Sequence, residues 1–180
     1  MNQTIFSKQD HEFMQIAYSE AQKAMAAGDY PVGAVLTLNG EFFASGRNAL
    51  FSTKVWSAHA EHSMIANHSA ELGAAFKSGN PYELHLYTTL EPCLMCLGIA
   101  KLHRVSRIVY ACPDPHGGTS QINPEDLGVY YKPGWPKFEM GLMKREVCDL
   151  IIEFLKLGKF SSWEEMLKEF EAMRHSWAQD

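Results

Sequence analysis

Residues 84–111 read LHLYTTLEPCLMCLGIAKLHRVSRIVYA, and their reading decides the fold. Leu84 to Thr89 is a short strand. A helix starts beside Cys93 and ends near His103, and Val105 to Ala111 is a second strand. Two strands joined by a helix-length crossover pair in parallel. Pro92 suits the start of that helix, because a first-turn N–H has no partner to lose. Cys93 and Cys96 then lie where the helix aims its free N–H groups and positive dipole end, which favours thiolates.

Working outward, the triplet His59-Ala60-Glu61 begins the preceding helix, expected from near His59 to about Leu72. One imidazole and two thiolates, from His59, Cys93 and Cys96, suit zinc in tetrahedral coordination, and three protein ligands leave a fourth position open. Glu61 is placed as a general acid–base rather than a ligand. The order H-x-E…P-C-x-x-C is the pattern of zinc nucleobase deaminases. His62 offers a rival. It shares a helix face with His59, and with Cys93 and Cys96 it could close a Cys₂His₂ structural site in a non-catalytic zinc scaffold.

The chain has 180 residues, 46% of them hydrophobic, which suits one domain with a substantial core. Its 16 basic and 21 acidic side chains leave a net charge of −5 and no basic run, which speaks against a strong nucleic-acid binder. Met1 to Gln9 has no apolar run and no stretch is long enough to span a bilayer, so the expectation is a cytoplasmic chain without membrane contact. Four cysteines, two of them assigned to metal, fit a reducing compartment better than a disulfide framework.

Elsewhere, periodicity predicts a first helix over Asp10 to Ala27 and a hairpin, Val32 to Leu38 and Glu41 to Gly46, turning at Asn39-Gly40. Asn48 to Ala58 reads as a loop, 113–136 as a long irregular segment, and Phe138 to Met143 as a fifth strand. Val147, Leu150, Ile151, Phe154 and Leu155 mark an amphipathic helix. Ser161-Ser162 opens a last helix whose stripe, Trp163, Met166, Leu167 and Phe170, reads as core or interface rather than site. The expected architecture is α/β, three layers α-β-α around a five-stranded mixed sheet flanked by helices. It forms a single domain, 1–180, with 159–180 as a C-terminal helical extension.

With these elements in order, the chain resembles the cytidine deaminase superfamily, in the branch holding bacterial tRNA adenosine deaminases and guanine deaminases. The resemblance runs from about Ala17 to Leu155. It rests on the zinc motif, on Asp29-Tyr30-Pro31-Val32-Gly33-Ala34-Val35-Leu36, on Gly46-Arg47-Asn48, on Thr88-Thr89-Leu90-Glu91-Pro92-Cys93, on Val109 to Asp114, and on Gly141-Leu142 with Glu146 and Leu150. It implies a Zn²⁺ hydrolase that removes an exocyclic amine from a nucleobase-type ring, and a homodimer. The candidate substrate contacts are Asn48, Ala60, Trp56 and Asp114. Asn48 and Asp114 have plainer readings as turn residues, and Trp56, Tyr130, Tyr131 and Trp135 as local packing.

The departures bear on substrate. The family's run N-D-P-T-A-H becomes Lys54-Val55-Trp56-Ser57-Ala58-His59, and an acidic helix, Ser161 to Arg174, replaces basic residues near the chain end. A tRNA binder neutralises several phosphates with Lys and Arg. Here Glu164, Glu165, Glu169 and Glu171 outnumber Lys168 and Arg174, while Lys101, His103, Arg104 and Arg107 form one local basic cluster. The main expectation is therefore a small-molecule substrate, a free nucleobase or nucleoside with a guanine- or cytosine-type ring. Deamination of adenosine in tRNA is the alternative.

Overall fold

The computed structural model describes residues 6–158, 160–161 and 163–177. In chain order the elements are α1 (Lys8–Ala26), β1 (Gly33–Leu38), β2 (Glu41–Arg47), α2 (Leu50–Thr53), α3 (Ala60–Asn67), α4 (Ser69–Lys77), β3 (Leu84–Leu90), α5 (Leu94–Leu102), β4 (Val105–Cys112), β5 (Lys137–Met140), α6 (Lys144–Leu155) and α7 (Trp163–Ser176). The strands form one sheet in the order β2-β1-β3-β4-β5. β1 is antiparallel to both neighbours, and β4 is parallel to β3 and β5. This is the mixed five-stranded α/β architecture expected from the strand–helix–strand stretch.

Side chains alternate across a strand, so each central strand feeds two cores. Val35, Tyr87, Val109 and Ala111 face one layer with Phe13, Met14 and Ala17 of α1, with α6, and with Trp163 and Phe170 of α7. Ala34, Leu36, Leu84, Leu86 and Ile108 face the other, with Ala60, Met64 and Ile65 of α3, Leu72 of α4, and Leu97 and Ala100 of α5. The close packing of α1 on β1 requires Gly33, because a Cβ there would lie 2.1 Å from the Ala17 carbonyl oxygen.

Several boundaries differ from expectation for local reasons. α1 starts at Lys8 because Ser7 and Asp10 form a reciprocal capping box. The hairpin turn has positive φ at Asn39 (54°) and Gly40 (83°), the geometry that Asn-Gly favours. Part of the expected 48–58 loop is α2, whose Phe51 and Ser52 N–H groups donate to the buried Asp29 carboxylate. The expected His59 helix is two helices. His68 ends α3 and heads α4, its ring nitrogen 2.8 Å from the Met64 carbonyl oxygen that the broken ladder leaves free. β5 stops at Met140, and Gly141 (φ 105°) and Met143 (φ 60°) turn the chain into α6. Ser162, expected to help open the last helix, lies outside the described residues.

Candidate active site

The site forms where two helices start side by side. His59 is the N-cap of α3 and Cys93 the N-cap of α5, both with extended backbone, and Cys96 lies in the first turn of α5. β3 leads directly into α5, and the 48–58 segment is tied down by the Ala49 N–H donating to Ala58 O, 2.9 Å. These constraints place His59 Nδ1 3.6 Å from the Sγ of Cys93 and 3.6 Å from that of Cys96.

The arrangement fits zinc. A tetrahedral ion with Zn–S of about 2.3 Å and Zn–N of about 2.0–2.1 Å sets nitrogen and sulfur roughly 3.6 Å apart. Among the described residues these are the three His, Cys, Asp or Glu side chains that converge closely enough to hold a metal ion. His62 stands outside the group, so the closed Cys₂His₂ arrangement is not formed. It sits on α3 one turn on, while its neighbour Glu61 turns inward.

The ligand set is electrostatically coupled. The Cys96 thiol and the His59 ring hold the Cys93 thiol down at about 4 against the effect of burial. The bond with Cys93, together with burial, pushes Cys96 up, and the Cys93 sulfur raises His59. Zinc, when bound, would replace the thiol protons of Cys93 and Cys96, since it binds thiolates.

Glu61 is buried, 3% exposed, and burial raises its carboxyl above the usual carboxylate range. Its Oε1 accepts from the Thr88 hydroxyl at 3.1 Å, and its Oε2 lies 3.4 Å from Cys96 Sγ. A cavity of about 200 Å³ opens over this group, lined by Tyr30, Asn48, His59, Glu61, Cys93 and Asp114 and by the apolar side chains of Ile151, Leu155, Met166 and Phe170.

The structure sorts the four candidate substrate contacts. Asn48 is buried on the cavity wall, its Oδ1 accepting from the Leu50 N–H. Asp114 also lines the cavity, and its carboxyl is raised by burial. Trp56 does not line it. The segment leaves α2 through Lys54 (φ 60°), which turns the Trp56 side chain outward, 85% exposed. The Ala60 side chain packs into the sheet-facing core instead of the cavity. Tyr130, Tyr131 and Trp135 are absent from the wall as well.

Three features were missed. Tyr30 is a cavity wall whose hydroxyl accepts from Trp163 Nε1, 2.9 Å. Glu91 accepts from the Asp114 N–H (3.1 Å) and the Ser120 N–H (2.7 Å), latching the 114–120 loop beside α5. Gly118 lies so close that a Cβ would come within 2.4 Å of the Glu91 carboxylate. Met166 and Phe170 bring α7 into the site, so the stripe read as core or interface serves both core and wall. The Glu91 role had a signal in the sequence, an acidic residue beside Pro92-Cys93, whereas the others depend on distant packing.

Comparison with known proteins agrees with this geometry. Residues 7–112 match the model of the cytidine and deoxycytidylate deaminase zinc-binding region. The tRNA-specific adenosine deaminase of Bacillus subtilis is 41% identical over 112 residues, covering 62% of this chain and 67% of that protein. A structure from studies of A-to-I editing by tRNA:A34 deaminases superposes with a TM-score of 0.59 at 32% identity, covering 77% of this chain and 98% of that one. Guanine deaminase from Nitrosomonas europaea shares the fold, with a TM-score of 0.66 at 18% identity over 84% of this chain and 86% of that one. With more than half its length matched and the zinc-binding trio assembled, the chain belongs to the cytidine and deoxycytidylate deaminase zinc-binding family.

Proposed function

We propose that this chain is a hydrolytic deaminase of a small, free amino-heterocycle, a base or nucleoside with a guanine- or cytosine-type ring. One observation carries the choice of substrate: α7 stands in the cavity wall. Met166 and Phe170 face the same space as Glu61, and the rest of α7 presents Glu164, Glu165, Glu169 and Glu171. An RNA strand would meet this acidic surface, at odds with phosphate-driven binding. The cavity, about 200 Å³, is smaller than the ~300–1,000 Å³ of drug-sized pockets and suits a single ring system.

In this reading His59, Cys93 and Cys96 hold the zinc. Zinc, when bound, supplies Lewis acidity that makes water a nucleophile near neutral pH. Glu61 would accept one proton of the attacking water at Oε2, the oxygen toward the ligand cluster, and deliver it to the ring nitrogen. It would then carry the second proton, from the newly added hydroxyl, to the departing amine as the C–N bond breaks and the C=O forms. Asn48, with Oδ1 committed to Leu50, has its Nδ2 donor for a ring acceptor. The apolar wall of Ile151, Leu155, Met166 and Phe170 excludes water and covers a ring face. A cytoplasmic setting belongs to the same reading, supported by Cys112 and Cys148, which stand as thiols beside the two cysteines assigned to zinc. No helix among the described residues is long and apolar enough to cross a membrane.

The second reading is adenosine deamination in tRNA. The curated relatives favour it over the first: the Bacillus subtilis protein and that of Agrobacterium fabrum, 31% identical over 92% of its length, are both tRNA-specific adenosine deaminases. The deciding experiment runs zinc-loaded protein against free bases and nucleosides, read by ammonia release, and against an anticodon stem-loop at low and high salt, read by inosine. Ammonia from a free ring with weak stem-loop binding is expected. Submicromolar, steeply salt-dependent binding with inosine formation overturns the proposal.

A further inference from the structure

We infer that Thr88 is a positioning residue for deamination, fixing which oxygen of Glu61 faces the zinc ligands; this rests on the reading of Glu61 as the proton carrier. Thr88 lies in the centre of the sheet, on β3 between Ala34 of β1 and Tyr110 of β4, and is wholly buried. Its neighbours on the same face of β3 are Leu84, Leu86 and Leu90, all packed with the α3–α5 layer. A buried hydroxyl without a partner is destabilising, so a threonine here is favoured by polar company.

It has two acceptors. Thr88 Oγ1 is 3.1 Å from Glu61 Oε1 and 3.1 Å from the Leu90 carbonyl oxygen. A hydroxyl carries one proton and two lone pairs. Thr88 donates its proton to Oε1, with the Leu90 carbonyl oxygen as a second acceptor beside it. With Oε1 engaged by Thr88, Oε2 is held toward Cys96 Sγ, 3.4 Å away. The Thr88 hydroxyl bonds to Glu61 and to the Leu90 carbonyl and to none of the three ligand side chains, so it acts through Glu61.

The test compares Thr88→Val, which keeps the shape and removes the hydroxyl, with Thr88→Ser, which keeps the hydroxyl. On the best substrate of the wild type, Thr88→Val should lower kcat by about 10–100-fold, near the lower end of positioned acid–base effects, with KM within about threefold. Zinc should stay at one per chain, and Thr88→Ser should recover most of the rate. Coupling through Glu61 also predicts that Thr88→Val adds no further loss on top of Glu61→Gln, since residues acting as a unit are non-additive. Unchanged kcat in Thr88→Val, an equal loss in Thr88→Ser, loss of zinc, or full additivity with Glu61→Gln would each overturn the inference. Full activity in Glu61→Gln alone would instead remove the proton-carrier reading on which it stands.

Discussion

His59 and Cys93 illustrate how much a single position decides. Each caps a helix, so each side chain leaves the backbone where N–H groups point outward, and the two caps face each other across 3.6 Å. His59→Ala or Cys93→Ala is expected to lose zinc and thermal stability together, because metal binding is coupled to folding. Glu61→Gln is expected to keep one zinc per chain while turnover falls at least about 10²-fold. Elemental analysis and ammonia release check both, and zinc loss in the Glu61 variant would contradict its placement outside the ligand set. The metal-binding trio was legible because its chemistry lies in residue types at short spacing. Thr88 was not, because its meaning depends on a neighbour 27 positions away.

Among the elements, α7 has the most consequence for substrate choice. The family match ends at residue 112, so α6 and α7 lie beyond it. α7 is seated by Trp163, which donates to Tyr30 and packs on Phe154 (5.0 Å between ring centroids), and by the buried Phe170. Phe170→Ala should cost about 3–5 kcal/mol, the usual range for an emptied aromatic core site. Met166→Ala removes only a wall of the cavity, and should raise the kcat/KM of a nucleoside relative to its free base by about tenfold, the scale of pocket-size discrimination. Measured kcat/KM ratios that do not move would take α7 out of the specificity argument. Sequence periodicity found this helix and its apolar stripe. Which layer the stripe meets depends on its packing against Tyr30 and Phe154, and no local pattern encodes that.

Across the whole molecule, a charged network ties α1 to three strands. Arg107 of β4 donates to Asp10 of α1 at 2.6 Å, to the Tyr87 hydroxyl of β3 and to Glu139 of β5. Burial alone would raise Asp10, but the bonds from Arg107, Ser7 and Tyr87 outweigh it and hold the carboxyl well below the usual carboxylate range. A depressed folded value means that the stabilisation is complete above the unfolded pKa of about 4 and is lost as pH falls through the folded value. Asp10→Asn should therefore melt below the wild type, by about 2–3 kcal/mol near neutral pH. That gap should be constant above about pH 5 and narrow on further acidification. Melting curves from pH 7 to about pH 3 check this, and a gap independent of pH would contradict it.

The exposed apolar side chains Trp56 (85%), Leu94 (68%) and Val129 (83%) bear on assembly. We propose, from the family resemblance, that they are covered by a second copy of the chain in a homodimer. Light scattering should give twice the 20.3 kDa of one chain, and a monomer at micromolar concentration would refute it.

The sequence by itself determined the zinc-binding trio and the architecture. A histidine and two cysteines at helix starts make a metal-binding group, and the strand–helix–strand run of 84–111 sets a parallel pair, because hydrophobic period and capping chemistry are local properties. The tertiary structure alone decided what encloses the site and which side chains orient it. Tyr30 meets Trp163 across 133 positions and Asp10 meets Arg107 across 97. Such contacts arise when whole layers pack together, and no short stretch of the chain specifies them.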